Sequence, residues 1–310
     1  MFIEQAYKGD NALWKVLLTS GITMAVFILN LIVFLLTSEE DMAAAYDMMK
    51  EIPTHLSLII NLVPFIFILL VLFLLVKFLH NRSILSLTTS RKKVDVKRIL
   101  FSFMLVFVFT IATFILGYYM TPENYVFQLD VTNFLILVVL SLVLFPFQIG
   151  LEEWLFRGYL MQQIGVMVRN KWFPLILTSI LFGIFHSANP EVAEMGPLIM
   201  IFYIGTGLLL GIMTLMDEGI ELALGFHLGN NFLAATLVTA EYSALQTDSL
   251  FKSIGESSSA ASEIIAPVLI VYPIFLIILA YRYKWTGWKE KLFGKVKPPQ
   301  TPVEEHLVAD

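Results

Sequence analysis

The sequence contains no cysteine, which excludes disulfide bonds, iron–sulfur clusters and a cysteine nucleophile. Charged residues are also scarce: they form 15% of the 310 residues, whereas soluble domains carry about a quarter. Hydrophobic residues make up 58% of the chain, and the mean hydropathy is +0.79. A net charge of −5 without a long basic run argues against nucleic acid as a partner. We therefore expect an integral membrane protein.

Several hydrolase signatures are missing as well. There is no Gly-x-Ser-x-Gly motif, and Ser179 and Ser187 have no evident base, which argues against serine catalysis. The His-Glu-x-x-His arrangement of zincins is absent. The sequence offers no aspartate pair within an apolar run, because Asp130 and Asp217 lie at the ends of such runs. Any catalytic chemistry must come from other side chains.

Long apolar runs dominate what is present. Most are about 17–25 residues long, which is enough to cross a bilayer as a helix. We predict an all-α polytopic membrane protein with about eight transmembrane helices. The predicted spans cover residues 13–37, 55–79, 99–120, 132–168, 172–188, 197–216, 222–240 and 263–281. A straight helix over 132–168 would exceed the bilayer thickness, so we expect a kink or break near Pro146.

The basic residues alternate between the connections. The connections predicted to lie outside carry only Lys50 and Lys252, and the remaining connections are rich in lysine and arginine. By the positive-inside rule both termini are expected in the cytoplasm, in the inner (plasma) membrane of a bacterium. We expect one integral membrane domain over 1–297, with its core at 132–240, and a disordered tail over 298–310.

One stretch places ionisable groups inside an apolar run: Glu152, Glu153 and Arg157 lie between segments without charge. Charges at membrane depth are costly, so these side chains must face a protein interior or a water-filled cavity. Glu153 and Arg157 are four residues apart, the spacing of a helical ion pair. Glu152 points about 100° away, and we expect no such ion-pair partner for it within this segment. One carboxylate is thus predicted to be held and the other to be free.

Two later spans add polar groups at one-turn spacing. The fifth span holds Phe182 and His186, and the seventh holds His227 and Asn231. Measured from the polar turn at 169–171, Glu152 and His186 are expected to reach similar depth. The spans also carry Gly207-x-x-x-Gly211 and Gly225-x-x-x-Gly229, patterns that favour close packing of helices in membranes.

The motifs Glu-Glu-x-x-x-Arg, Phe-x-x-x-His and His-x-x-x-Asn, in this order on spans 4, 5 and 7, resemble a known family. They are similar to those of the CAAX protease and bacteriocin-processing (CPBP, or Abi) intramembrane proteases, which include the type II CAAX prenyl endopeptidases. The resemblance implies an endopeptidase in which Glu152 activates water with the help of His186. It further implies that His227 and Asn231 stabilise the oxyanion, while Glu153, Arg157 and Phe182 support the site.

Other interpretations stay open. Glu152, His186 and His227 could supply a zinc ion with a catalytic set of ligands, although the resemblance favours metal-free glutamate catalysis without any cofactor. A non-proteolytic membrane scaffold, an immunity protein or a proton-coupled transporter would also use buried carboxylates and histidines. For the protease, the expected partners are a peptide or membrane-protein substrate and the lipid bilayer.

Overall fold

The computed structural model describes residues 1–255 and 261–299, and helices form most of this part of the chain. The labels used below follow chain order. The helices are α1 (Leu13–Leu36), α2 (Glu39–Lys50), α3 (Thr54–Leu79), α4 (Ile84–Thr88), α5 (Val96–Met120), α6 (Val131–Val168), α7 (Trp172–Ile184), α8 (Pro190–Met195), α9 (Ile199–Asp217), α10 (Glu221–Thr236), α11 (Ile264–Tyr283) and α12 (Trp288–Phe293). The strands are β1 (Tyr125–Phe127), β2 (Val238–Ala240) and β3 (Phe251–Ser253).

The membrane-spanning character is clear from helix length and composition. Within the described residues, 6 helices are long and apolar enough to cross a membrane, namely α1, α3, α5, α6, α9 and α11. The helix α7 is apolar but has 13 residues, and α10 has 16. The predicted class, an all-helical polytopic membrane protein, is confirmed. The number of eight spans stays a prediction.

The longest helix, α6, does not break where expected. Pro146 lies inside the α-helical part, Val131–Glu152, which continues through it. The departure from α-helical geometry comes later, as a π-helical segment over Glu153–Leu160, before α-helix resumes at Met161–Val168. Membrane helices tolerate an internal proline because local adjustments satisfy the freed backbone group. The helix is therefore unbroken at Pro146, the alternative of a kink there stays a prediction, and the irregular turn falls within the charged stretch.

A small three-stranded sheet joins two connecting segments, which the sequence did not lead us to expect. Strand β3 is central: it pairs antiparallel with β1 and parallel with β2. The seventh predicted span extended to residue 240, but α10 ends at Thr236 and residues 238–240 form β2. The β-branched Val238 and Thr239 suit a strand, and their partners lie far along the sequence.

Two other boundaries differ from expectation. The fifth predicted span extended to residue 188, whereas α7 ends at Ile184 and His186 lies in the turn that follows. The predicted disordered tail over 298–310 falls, from residue 300 onward, outside the described residues.

Glycines allow the closest helix contacts. Helix α9 packs on α7, and α10 packs on α5. Gly207 lies against the carbonyl oxygen of Ser179, and Gly225 lies against that of Ile99. A methyl group at either glycine would come closer than 3.0 Å to that oxygen. The predicted packing role of both glycine motifs is confirmed, and it brings the helix that carries His227 and Asn231 firmly against its neighbour.

A network of ion pairs fixes the start of α10. Arg91 contacts Glu221 at 2.7 Å and Asp217 at 3.1 Å, so it joins the end of α9 to the beginning of α10. Arg98 at the base of α5 and the indole nitrogen of Trp285 also bind Asp217. Because both carboxylates are almost fully buried, these partners compensate for the charges that leave water.

We predict that Gly225→Ala destabilises the protein by about 1–3 kcal/mol or more, because the new methyl group meets backbone that cannot turn aside. The matched control is Gly21→Ala in α1, where nothing lies within 4 Å of the added carbon. Thermal unfolding of both purified variants in detergent would measure the difference. Equal melting temperatures would contradict the packing role of Gly225.

Candidate active site

The ion pair that the sequence predicted for Glu153 is present, and it lies in the π-helical segment. Glu153 and Arg157 form an ion pair of 2.8 Å, and both side chains are 0% exposed. Arg157 also donates to the carbonyl oxygen of Gly207 at 3.2 Å, and its guanidinium lies 4.5 Å from the ring centre of Phe182. The pair therefore connects α6 to α9 and α7. Departures into π-helix occur often at functional sites, which fits this location.

Glu153 also fixes a histidine from another helix. Nδ1 of His227 lies 2.9 Å from Oε1 of Glu153, the same oxygen that accepts from Arg157. Since a carboxylate only accepts hydrogen bonds, Nδ1 carries the hydrogen, and Nε2 faces away from Glu153. This contact aligns α10 with α6 and sets the orientation of the His227 ring.

Glu152 lies beside this arrangement and is 4% exposed. Its Oε1 accepts a hydrogen bond from Nε2 of Gln148, one turn earlier on α6. Its Oε2 is buried, has no hydrogen-bond partner among the described residues, and lies 3.7 Å from Nε2 of His227. That separation is too long for a direct hydrogen bond. Among the described residues Glu152 has no ion-pair partner within its own segment, as expected, and its hydrogen bond comes from a neutral side chain just before that segment.

Asn231 joins the site through the same glutamine. Its Nδ2 donates to Oε1 of Gln148 at 3.2 Å, and its Oδ1 accepts from the neighbouring Asn230 at 3.3 Å. Gln148 thereby bridges Asn231 and Glu152. Sequence reasoning missed this residue because it is uncharged. The signal was its position four residues before Glu152, the spacing that also joins Glu153 to Arg157.

His186 lies at the edge of the site. Its Nδ1 is 2.6 Å from the carbonyl oxygen of Phe182, and its ring packs between the rings of Phe182 and Tyr203. Glu152 is close enough to influence it electrostatically, but the described residues show no hydrogen bond between the two side chains. The structure therefore brings Glu152, Glu153, Arg157, His227 and Asn231 into one connected network, with Phe182 packed on it and His186 nearby.

The expected ligand set for zinc does not converge. Among the described residues, no group of three or more histidine, cysteine, aspartate or glutamate side chains is arranged to hold a metal ion. One ring nitrogen of each histidine is hydrogen-bonded, His227 to Glu153 and His186 to the backbone of Phe182, which by itself is compatible with a metal at the other nitrogen, so the fit depends on how the side chains are grouped. The residues as placed do not fit a zinc site.

The segment that follows His186 is tied down by polar contacts. Tyr203, which stacks on His186 with ring centres 4.7 Å apart, accepts a hydrogen bond from Asn189. Oε1 of Glu191 accepts from the backbone nitrogen of Ala244 at 2.8 Å, so α8 is joined to the segment after β2. Burial raises the pKa of Glu191, and the hydrogen bond from Ala244 opposes this only in part.

A pH dependence follows from Glu191. Since its folded-state pKa lies above the usual value of 4.5, the unfolded chain releases this proton first as the pH rises. The contribution of Glu191 to stability is therefore greatest below pH 4.5 and declines until the raised pKa is passed. We predict that Glu191→Gln removes this part of the decline. Melting temperatures measured as a function of pH across that range would test this prediction, with the exposed Glu123→Gln as the control. An identical dependence of melting temperature on pH in wild type and Glu191→Gln would contradict it.

The ion pair gives a second prediction. Arg157→Leu leaves Glu153 buried without its cation, and we expect a loss of about 3–5 kcal/mol in stability and reduced accumulation in membranes. The double variant Glu153→Gln with Arg157→Met removes both charges and should be less destabilised than the single variant. Membrane yield and thermal unfolding would compare the two. Normal accumulation of Arg157→Leu would argue against the pair as a structural requirement.

With the geometry established, comparison with known proteins identifies the class. A family model described as "Type II CAAX prenyl endopeptidase Rce1-like" matches residues 132–233, the segment that carries the connected network. This confirms the resemblance expected from the three motifs. At the level of the family, the chain resembles CAAX-type proteases of the membrane.

A relative covers more of the chain. The protein is similar to "Uncharacterized protein YyaK" of Bacillus subtilis (strain 168), with 27% identity over 249 residues. The alignment covers 76% of this chain and 81% of that protein. No solved structure matches.

Proposed function

We propose that this chain is an intramembrane endopeptidase that uses Glu152 as the general base. The observation that carries the proposal is the buried, unpartnered Oε2 of Glu152 beside Nε2 of His227, within the segment that matches the endopeptidase family. A base must have a free oxygen within reach of water, and burial protects its chemistry from competing solvent.

In the proposed reaction, Oε2 of Glu152 takes a proton from water while the water oxygen bonds to the scissile carbonyl carbon. The carbonyl oxygen becomes negative and accepts a hydrogen bond from Asn231, and also from Nε2 of His227 when both ring nitrogens of His227 carry a hydrogen. The carbon–nitrogen bond then breaks as Glu152 returns the proton to the leaving amine. His186, close enough to act on Glu152 electrostatically, helps to position the water.

Glu153 and Arg157 act indirectly in this scheme. The Glu153 carboxylate holds Nδ1 of His227, so the Nε2 edge is directed towards Glu152. Arg157 compensates the charge of Glu153 and is held by the packed ring of Phe182. The cost of burying these charges is offset by their mutual contacts, so the network can persist at membrane depth.

The proposed reaction requires no metal, because Glu152 itself supplies the base that activates water. The proposed substrate is a peptide or a membrane-protein segment. We propose that both termini lie in the cytoplasm, because lysine and arginine concentrate in alternate connections, and that the membrane is a bacterial plasma membrane, because the similar protein comes from a bacterium.

The test is turnover of a quenched peptide library by purified protein, with and without a metal chelator. We expect cleavage by wild type, cleavage that survives chelation, and loss of turnover by at least about 100-fold in Glu152→Gln, since the base is removed while its shape is kept. The control Glu123→Gln alters an exposed carboxylate far from the network and should match wild type.

Other outcomes would change the assignment. A fully active Glu152→Gln variant would remove Glu152 from the mechanism. Loss of activity on chelation, restored by Zn²⁺, would favour the zinc-dependent alternative. Absence of cleavage by wild type under every condition would favour a scaffold, immunity protein or transporter.

A further inference from the structure

We infer that Gln148 is a positioning residue that prepares both halves of the candidate site, the base Glu152 and the oxyanion donor Asn231. This inference rests on the proposed function. Gln148 is 9% exposed and lies on α6 one turn before Glu152. Its two amide atoms each contact a different side chain of the site, and these contacts define the role.

The nitrogen end of the amide acts on the base. Nε2 of Gln148 donates to Oε1 of Glu152, which occupies that oxygen and fixes the plane of the carboxylate. The other oxygen, Oε2, is left without a partner among the described residues and faces Nε2 of His227. Gln148 therefore selects which oxygen of Glu152 accepts the proton of water.

The oxygen end of the same amide acts on Asn231. Oε1 of Gln148 accepts one hydrogen from Nδ2 of Asn231 at 3.2 Å. An amide nitrogen carries two hydrogens, so one remains to bind the developing oxyanion. With its first hydrogen held, the Asn231 amide cannot rotate freely, and its second hydrogen keeps one direction.

These two contacts make Gln148 a bridge between helices α6 and α10 at the reacting groups. The bridge is neutral, so it adds no further charge to the buried pair of carboxylates. A methionine at 148 has similar length and volume but neither donates nor accepts a strong hydrogen bond. Gln148→Met therefore removes the bridge while preserving packing.

The chain supplies a matched control in Gln163. This glutamine is also on α6 and is 0% exposed, but neither atom of its amide has a hydrogen-bond partner among the described residues. Gln163→Met makes the same chemical change in the same helix without touching the network. It should fold and turn over substrate as wild type does.

The first arm of the experiment measures kcat and KM on a cleaved peptide. We expect Gln148→Met to lower kcat by about 10- to 100-fold, the range for loss of one hydrogen bond to a charged group, with KM changed less than about twofold. In the double variant with Asn231→Ala, the fold-decrease in kcat should be smaller than the product of the fold-decreases in the two single variants, because both substitutions break the same bridge. General destabilisation would not produce that coupling.

The second arm does not require turnover. Dicyclohexylcarbodiimide modifies buried carboxyl groups, and mass spectrometry can follow its reaction at Glu152. Because Gln148 occupies Oε1 of Glu152, we expect the labelling rate to rise at least about threefold in Gln148→Met and to stay unchanged in Gln163→Met. Thermal unfolding of each variant confirms that folded protein is compared.

The two arms separate the two proposals. If wild type cleaves nothing, the protease assignment fails, while labelling still decides whether Gln148 controls Glu152. Wild-type kcat and an unchanged labelling rate in Gln148→Met would overturn the inference, whatever the substrate. The inference would also be overturned if the decreases in kcat for Gln148→Met and Asn231→Ala simply multiplied in the double variant, because a shared bridge requires the two effects to be coupled.

Discussion

The rest of the site depends on the buried contact between Glu153 and Arg157. Oε1 of Glu153 is shared by Arg157 and His227, and Arg157 continues to the backbone of Gly207. One carboxylate oxygen thus determines how α6, α9 and α10 meet. A buried pair of this kind costs desolvation energy, and its retention is better explained by the geometry it imposes than by a gain in stability.

Around this contact the two adjacent carboxylates have different tasks. Among the described residues Oε2 of each carboxylate has no hydrogen-bond partner, but Oε1 of Glu153 is shared by Arg157 and His227, whereas Oε1 of Glu152 accepts from the neutral Gln148. Neighbouring residues on a helix point about 100° apart, which allows one to serve structure and the next to face the reacting groups. Two residues of α10 also differ in how they contact this site. His227 contacts Glu153 directly, whereas Asn231 is connected to Glu152 through Gln148.

The sequence predicted the features that depend on charge and helical spacing. The ion pair between Glu153 and Arg157 could be predicted because the two residues are four apart and because a charge at membrane depth needs a partner. Gln148 could not be singled out in this way, since a neutral amide in an apolar run carries no comparable penalty. The strand at 238–240 depends on its pairing with residues 251–253, so the helical pattern before it could not predict it. Pro146 does not end the helix, because a membrane helix can satisfy the backbone group that an internal proline frees.

The π-helical segment of α6 has a structural consequence of its own. A π turn contains one residue more than an α turn, so the face of the helix is offset between its two ends. Before the segment, Gly150 faces Leu69 of α3; after it, Met161 faces Gly211 of α9. The two ends of one helix can therefore be matched to different neighbours independently. A single-residue deletion in the α-helical part of α6 would rotate one end by about 100° relative to the other, whereas a deletion within the π-helical segment converts a π turn into an α turn and leaves the two ends matched, so this segment is where the helix tolerates a change in length.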